Sequence, residues 1–232
     1  MKEIFDDYIN NAFGEYAQAE FKFRELEWNY KKYFPADFNS LILDIGIGRG
    51  EMLTCMKSWG YQNYYGIDIS PSTVDFCKSI GLNCSVVDDT SIFLQSNQNK
   101  YSVITLLDVL EHIKKDSVIS FLKALRGALR DDGVLIIQVP NLQAPDGQLH
   151  RYNDITHEVG YIEHSLNQVL ITAGFNKAAF YGYETLISNN IKTFIIKLLR
   201  NLYWKSIRFL RRLNTNLNPL ILNPVFFSVI KK

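Results

Sequence analysis

The chain is poor in cysteine and histidine. Three cysteines (Cys55, Cys77, Cys84) stand among 232 residues, in an odd number and with no CxxC pair. That excludes a cysteine-built structural zinc and a disulfide-dense scaffold, and it fits a reducing compartment. The four histidines are His112, His150, His157 and His164. No apolar run reaches the roughly 18 residues that a membrane span needs. The start, Met1-Lys2-Glu3-Ile4-Phe5-Asp6-Asp7, is acidic where a signal peptide is basic. No signal peptide is therefore expected, and the expected location is cytoplasmic. Acidic residues are missing from one region: residues 185–232 hold nine Lys and Arg and no Asp or Glu. Residues 1–184 then carry 16 basic and 24 acidic side chains. So acidic a body argues against a nucleic-acid partner.

What is present is an ordinary globular composition, 47% hydrophobic and 21% charged, enough for a sizeable core. The length predicts one domain with an appendage. Residues 1–35 read as an aromatic-rich helical cap ended by Pro35. Short apolar runs then alternate with helical patterns. The runs are 40–45, 64–67, 83–87, 101–107, 134–139 and 175–183. Helices are expected from the glycine-rich turn to about 59, from Ser70-Pro71 to Gly81, from Asp116 to about 130, and over 165–173. A loop of more than 20 residues separates Asn141 from Glu163. Strands alternating with helices imply right-handed βαβ units and a mostly parallel, doubly wound α/β sheet.

The sharpest local signal is Leu43-Asp44-Ile45-Gly46-Ile47-Gly48-Arg49-Gly50, a turn from a buried strand into a helix. In such sheets that turn borders the ligand crevice. Glycine there permits positive φ and close approach of a ligand. A dinucleotide cradle would need glycine where Glu51 stands, and acids on either side disfavour a pyrophosphate. That counts against a nicotinamide-dependent reductase. Asp68, Asp88-Asp89 and Asp108 follow the next three strands. Acids after four consecutive strands are hard to assign to turns alone. A carboxylate at Asp68 suits a ribose diol, and one at Asp88 or Asp89 suits an adenine amino group.

These residues resemble the class I S-adenosylmethionine-dependent methyltransferases. Leu41 to Gly50 matches that family's first motif, Gly66-Ile67-Asp68 the second and Asp88-Asp89 the third. Leu107-Asp108-Val109-Leu110-Glu111-His112 resembles a stretch of the ubiquinone-type branch, as does Val139-Pro140-Asn141. The resemblance implies a Rossmann-like sheet of seven strands. The last strand, over 222–231, is antiparallel and is preceded by a helical insertion at 186–214, all within one domain of 1–232. It implies S-adenosylmethionine as cofactor. Gly46, Gly48 and Gly50 would line its methionine end, with Asp44 near its ammonium. Asp68 would hold the ribose, Asp89 or Asp88 the adenine, and Asp108 would lie beside the sulfonium.

An alcohol acceptor needs a base. Three of the four histidines fall between 150 and 164, after the fifth strand, with Asp154, Glu158 and Glu163 among them. His157 is the first candidate, oriented by Asp154 or Glu158; His112 is the second. A metal site from His150, Asp154 and His157 lacks diagnostic spacing, and no metal is expected. Arg151-Tyr152-Asn153-Asp154-Ile155-Thr156-His157-Glu158 resembles methyltransferases encoded with bacterial surface-polysaccharide genes. That resemblance implies O-methylation of a glycan hydroxyl or of its lipid-linked precursor. A phenolic quinone precursor and an inactive binding module are the alternatives. Residues 191–213 read as an amphipathic basic helix. Six of its seven cationic residues lie within an arc of about 140°. It suits an anionic inner membrane surface, its own domain, or a dimer mate.

Overall fold

The structure is a computed structural model and describes residues 19–176, 178–185, 191–215 and 221–232. Residues 1–18 of the expected cap and the first five of the expected insertion lie outside the described residues.

Seven strands form one sheet: β1 (Ile42–Ile45), β2 (Tyr64–Asp68), β3 (Cys84–Val86), β4 (Tyr101–Leu107), β5 (Leu129–Pro140), β6 (Ala179–Gly182) and β7 (Val225–Lys231). Their order is β3-β2-β1-β4-β5-β7-β6. Strands β1 to β5 pair in parallel, while β7 runs antiparallel between β5 and β6. This is the doubly wound, Rossmann-like arrangement expected from the sequence, with β4 at its centre and β1 beside it, away from either edge.

The helices are α1 (Ala19–Tyr30), α2 (Glu51–Ser58), α3 (Pro71–Ser79), α4 (Thr90–Gln95), α5 (Val118–Ala128), α6 (Gly147–Tyr152), α7 (Glu163–Thr172) and α8 (Ile191–Thr215). Alternation along each strand feeds two cores. Leu43, Ile45, Ile104, Leu106, Leu135 and Ile137 pack with Phe121, Leu122 and Leu125 of α5 and with Leu166 and Leu170 of α7. Ile42, Val103, Ile136 and Phe227 face the other way, onto Tyr30 of α1, Met52, Leu53 and Met56 of α2, and Val74 and Cys77 of α3. Period-two strands with both faces apolar must be covered on both sides.

Several boundaries move, and α6 forms inside the stretch from Asn141 to Glu163 expected to be loop. Ser70 caps α3 as expected, accepting from the Thr73 N–H at 3.3 Å. Asp116 does not cap α5; it lies in a 3-10 turn, Lys115–Ser117, and Ser117 is the N-cap. That helix stops at Ala128 because Leu129 already pairs with Tyr101, and the ladder then shifts register before Val103. The Asp131-Asp132-Gly133 turn is absorbed as this irregularity. The sixth strand shortens to four residues because Phe175 and Ala178 pack into the core before the ladder with β7 begins.

Helix α8 is a 25-residue helix. The sequence allowed it to pack on its own domain. Instead Phe194, Leu199, Phe209 and Leu213 are each about 60% exposed or more. No helix among the described residues is long and apolar enough to cross a membrane.

Candidate active site

The carboxyl ends of β1, β2 and β4 meet in one crevice. Gly46, Gly48 and Gly50 adopt φ of 74°, 50° and 75°, the left-handed region that glycine tolerates best. Gly50 is the N-cap of α2. A Cβ on Gly46 would strike Val109 Cγ2, so the turn runs hard against the β4 end.

Asp44 is 2% exposed. The β1–β4 register places Thr105 directly opposite it, and the Thr105 hydroxyl donates to its carboxyl at 2.6 Å. Burial pushes the Asp44 pKa up to about 8, against the Thr105 bond. The acid is therefore mostly protonated at neutral pH unless a cation comes near.

Asp68 closes β2. Burial raises its pKa, while backbone N–H groups of Ser70, Gly48, Ile47 and Ile69 favour its ionised form. The Ser70 N–H donates to it at 2.9 Å. One carboxylate thus ties the glycine turn to the β2 end. Asp89 caps α4, accepting from the Ile92 N–H at 3.0 Å, and both it and Asp88 are exposed. A cap explains Asp89 without a ligand.

Asp108 follows β4 with φ of 54°, a conformation uncommon outside glycine. The residue is exposed, yet the protein around its carboxyl raises its pKa by desolvation. Exposure combined with desolvation marks a group lining a concave cleft. Gln138, on the neighbouring strand, donates to Asp108 at 2.6 Å, and the Tyr30 hydroxyl donates to the Gln138 carbonyl. This buried chain fixes the amide's orientation and holds Asp108 in place. Tyr30 and Gln138 were not among the sequence candidates. Gln138 had a signal: it is the polar residue in the apolar run 134–139.

The loop after β5 folds back onto the turn after β4. Both the Glu158 and Val159 N–H groups donate to the Glu111 carbonyl, at 2.8 and 3.1 Å. Asn141 and Tyr161 bridge the two ends of the loop. His157 is thereby brought against His112, with ring centroids 4.7 Å apart. Asp154 accepts from the Thr156 N–H at 2.8 Å and from its hydroxyl at 2.6 Å. The Thr156 hydroxyl also meets His112 Nδ1 at 2.8 Å. The line of orientation from Asp154 therefore runs through Thr156 to His112, where the sequence pointed to His157. Burial lowers the His112 pKa, and the His157 charge lowers it further, so its imidazole is neutral at neutral pH. Thr156, 2% exposed, carried no sequence signal. Lys22, His157 and His150 act electrostatically on Asp108, which places α1 and this loop near it.

Comparison with known proteins gives the family and supports the fold. Residues 18–179 match the family model described as a methyltransferase domain. The human EEF1A lysine methyltransferase 2 is 39% identical over 57 residues, a stretch covering 25% of this chain and 23% of that protein. Among solved structures, a SAM-dependent methyltransferase from Archaeoglobus fulgidus has a TM-score of 0.71 at 21% identity, with 99% of each chain covered. The 1,6-didemethyltoxoflavin-N1-methyltransferase of Burkholderia thailandensis, solved with S-adenosylhomocysteine, has a TM-score of 0.58 at 14% identity, covering 99% of this chain and 84% of that one.

Proposed function

The chain belongs to the methyltransferase-domain family, and on that premise we propose that it is an S-adenosylmethionine-dependent O-methyltransferase acting on a sugar hydroxyl of a surface polysaccharide or its lipid-linked precursor. The observation that carries this reading is the His112–His157 pair on the cleft that Asp108 lines. An N- or S-acceptor needs less help, whereas a hydroxyl needs its proton removed. The exposed Tyr152 and Ile155 on the same loop offer an apolar surface for the face of a sugar ring. The residues of 1–232 act as one domain in this reading.

The crevice fits the donor. Three glycines with positive φ leave a turn without side chains, and a buried acid beside it awaits a cation. When bound, S-adenosylmethionine supplies an electrophilic methyl group on a sulfonium. Gly46, Gly48 and Gly50 would line its amino-acid end, with Asp44 facing the ammonium. Asp68 would accept from the ribose hydroxyls, Asp88 or Asp89 would lie toward the adenine, and Asp108 toward the sulfonium. Transfer is an in-line displacement, in which positioning supplies most of the rate. The Tyr30–Gln138–Asp108 chain serves that positioning, and the histidine pair activates the acceptor hydroxyl.

The test is product mass analysis with glycan and quinone-precursor extracts. A methylated glycan supports the reading. A methylated quinone precursor moves it to the phenolic alternative. Binding without any methylated product leaves a cofactor-binding module.

Asp44 gives a second expected result. Its pKa is about 8 in the free protein. A nearby cation favours the ionised form, so binding expels a proton between pH 6 and 8. Affinity for S-adenosylmethionine rises with pH across that window, by up to about tenfold per unit, and flattens above about 8. Calorimetry in buffers of different ionisation enthalpy measures the released proton. Asp44→Asn abolishes the slope, and a flat wild-type profile sinks the ammonium assignment.

The exposed helix α8 suits an anionic membrane surface, where a lipid-linked acceptor would be found. Its basic arc and exposed apolar side chains form an interfacial helix. Arg200 lies over the Trp204 ring at 4.8 Å. Vesicles containing anionic lipid should bind the protein, neutral vesicles should not, and salt should weaken the binding. Lys197→Gln and Lys205→Gln should each cost about 1 kcal/mol, roughly fivefold. No vesicle binding together with a dimer in light scattering would assign α8 to a second copy.

A further inference from the structure

Among the described residues, Glu111, His112 and His157 each bring one ligand atom within 4.8 Å of the other two. Neither of the sequence groupings predicted this trio. His112 and Glu111 sit in the 3-10 turn Leu110–His112, and His157 arrives on the loop that hydrogen-bonds to the Glu111 carbonyl.

Glu111 is 2% exposed, and neither of its carboxylate oxygens has a hydrogen-bond partner among the described residues. A buried carboxyl with no donor is costly, and so rare an exception calls for an explanation. The Tyr161 hydroxyl, also buried and unsatisfied, lies close enough to feel the Glu111 charge. The imidazoles are organised as well. Thr156 meets His112 at Nδ1, and Asp154 holds Thr156. A carboxylate or hydroxyl behind one ring nitrogen is the usual outer partner of a histidine that binds metal through the other.

We propose that Glu111, His112 and His157 form a binding site for a divalent first-row transition-metal ion. Two imidazoles and one carboxylate suit zinc, iron(II), cobalt or manganese better than calcium or magnesium, which take oxygen ligands. Tetrahedral ligand atoms about 2.1 Å from an ion lie about 3.4 Å apart. The observed spread of up to 4.8 Å therefore needs up to about 1.4 Å of side-chain closure. Three protein ligands leave coordination positions open, as catalytic sites do.

The role assigned to the ion rests on the O-methyltransferase reading. An ion beside the acceptor acts as a Lewis acid on its hydroxyl oxygen. The O–H bond breaks and its proton goes to solvent, so in this role the two histidines activate the hydroxyl as ligands of the ion and not as bases. The oxygen's electron pair forms the new C–O bond, and the C–S bond breaks with its pair left on sulfur. No oxidant or reductant is required.

The test strips the full-length protein with a chelator and titrates cobalt(II), following the visible absorption of the bound ion. Metal content after dialysis is measured by mass spectrometry. One ion per chain is expected. Thr156→Ala should weaken binding about 10- to 100-fold. Glu111→Gln and His157→Ala should weaken it at least as much, with circular dichroism reporting the fold; the half-buried His157 site keeps the test valid if Glu111→Gln unfolds. No cobalt absorption, or unchanged affinity in folded His157→Ala, overturns the site. Methylation that is lost on chelation and restored by the ion supports its role. Methylation indifferent to the ion overturns that role while leaving the O-methyltransferase reading in place. A bound ion with no methylated acceptor overturns the reading and leaves the site.

Discussion

His112→Ala lowers turnover about 10²- to 10⁴-fold and leaves S-adenosylmethionine affinity nearly unchanged. Thr156 and Asp154 hold the ring in a single orientation, and the proposed reading gives it the acceptor and not the cofactor. His157→Ala produces a loss of the same order, since the two rings are in contact and, on the proposed reading, act on one hydroxyl. Steady-state turnover and calorimetric binding, measured on the same preparations, separate the two effects. Burial has lowered the His112 pKa. The active form is the neutral ring, so activity falls as acid protonates it. That fall comes below the ordinary imidazole value of about 6.5. If His157→Ala alone kept near-normal turnover, activation would belong to His112. If both variants kept it, the acceptor would arrive already ionised, and the sugar-hydroxyl reading would fail.

Asp68→Ala weakens S-adenosylmethionine binding by about 1.5–3 kcal/mol, the scale of hydrogen bonds to a charged group. That is roughly a 10- to 150-fold rise in Kd. The carboxylate takes backbone N–H groups of the glycine turn, and the proposal adds a ribose diol as its second partner. Asp68→Asn keeps one acceptor oxygen, so its loss should be smaller. Binding within about twofold of wild type in Asp68→Ala would remove the ribose assignment. Thermal denaturation without ligand shows how much of the change is loss of the turn itself.

The crevice at the glycine turn was legible in the chain because each of its parts is local. A buried run, a turn of glycines and an acid at the strand end are read within ten residues. The acids at Asp68 and Asp108 follow their strands in the same way. Asp89 shows the weakness of that reading, because an acid at a strand end is also an acid before a helix, and here it caps one. Thr105 and Gln138 were harder to see. Each is a polar residue in an apolar run, and its use depends on what the neighbouring strand places opposite it.

The sequence by itself determined the order of the strands and of α1, α2, α3, α5, α7 and α8, though not α4 or α6, together with the two apolar faces of the sheet, the glycine turn and the basic character of α8. All of these follow from periodicity, backbone freedom and charge along a continuous stretch. Only the tertiary structure decided which side chains meet across the acceptor cleft. His157 looked paired with Asp154 because the two are three positions apart in the chain. Two N–H groups on the Glu111 carbonyl instead draw the loop onto the β4 turn, and His157 comes to rest on His112 and Glu111, more than forty residues away. Long-range backbone hydrogen bonds set that meeting, and no spacing within the chain records them.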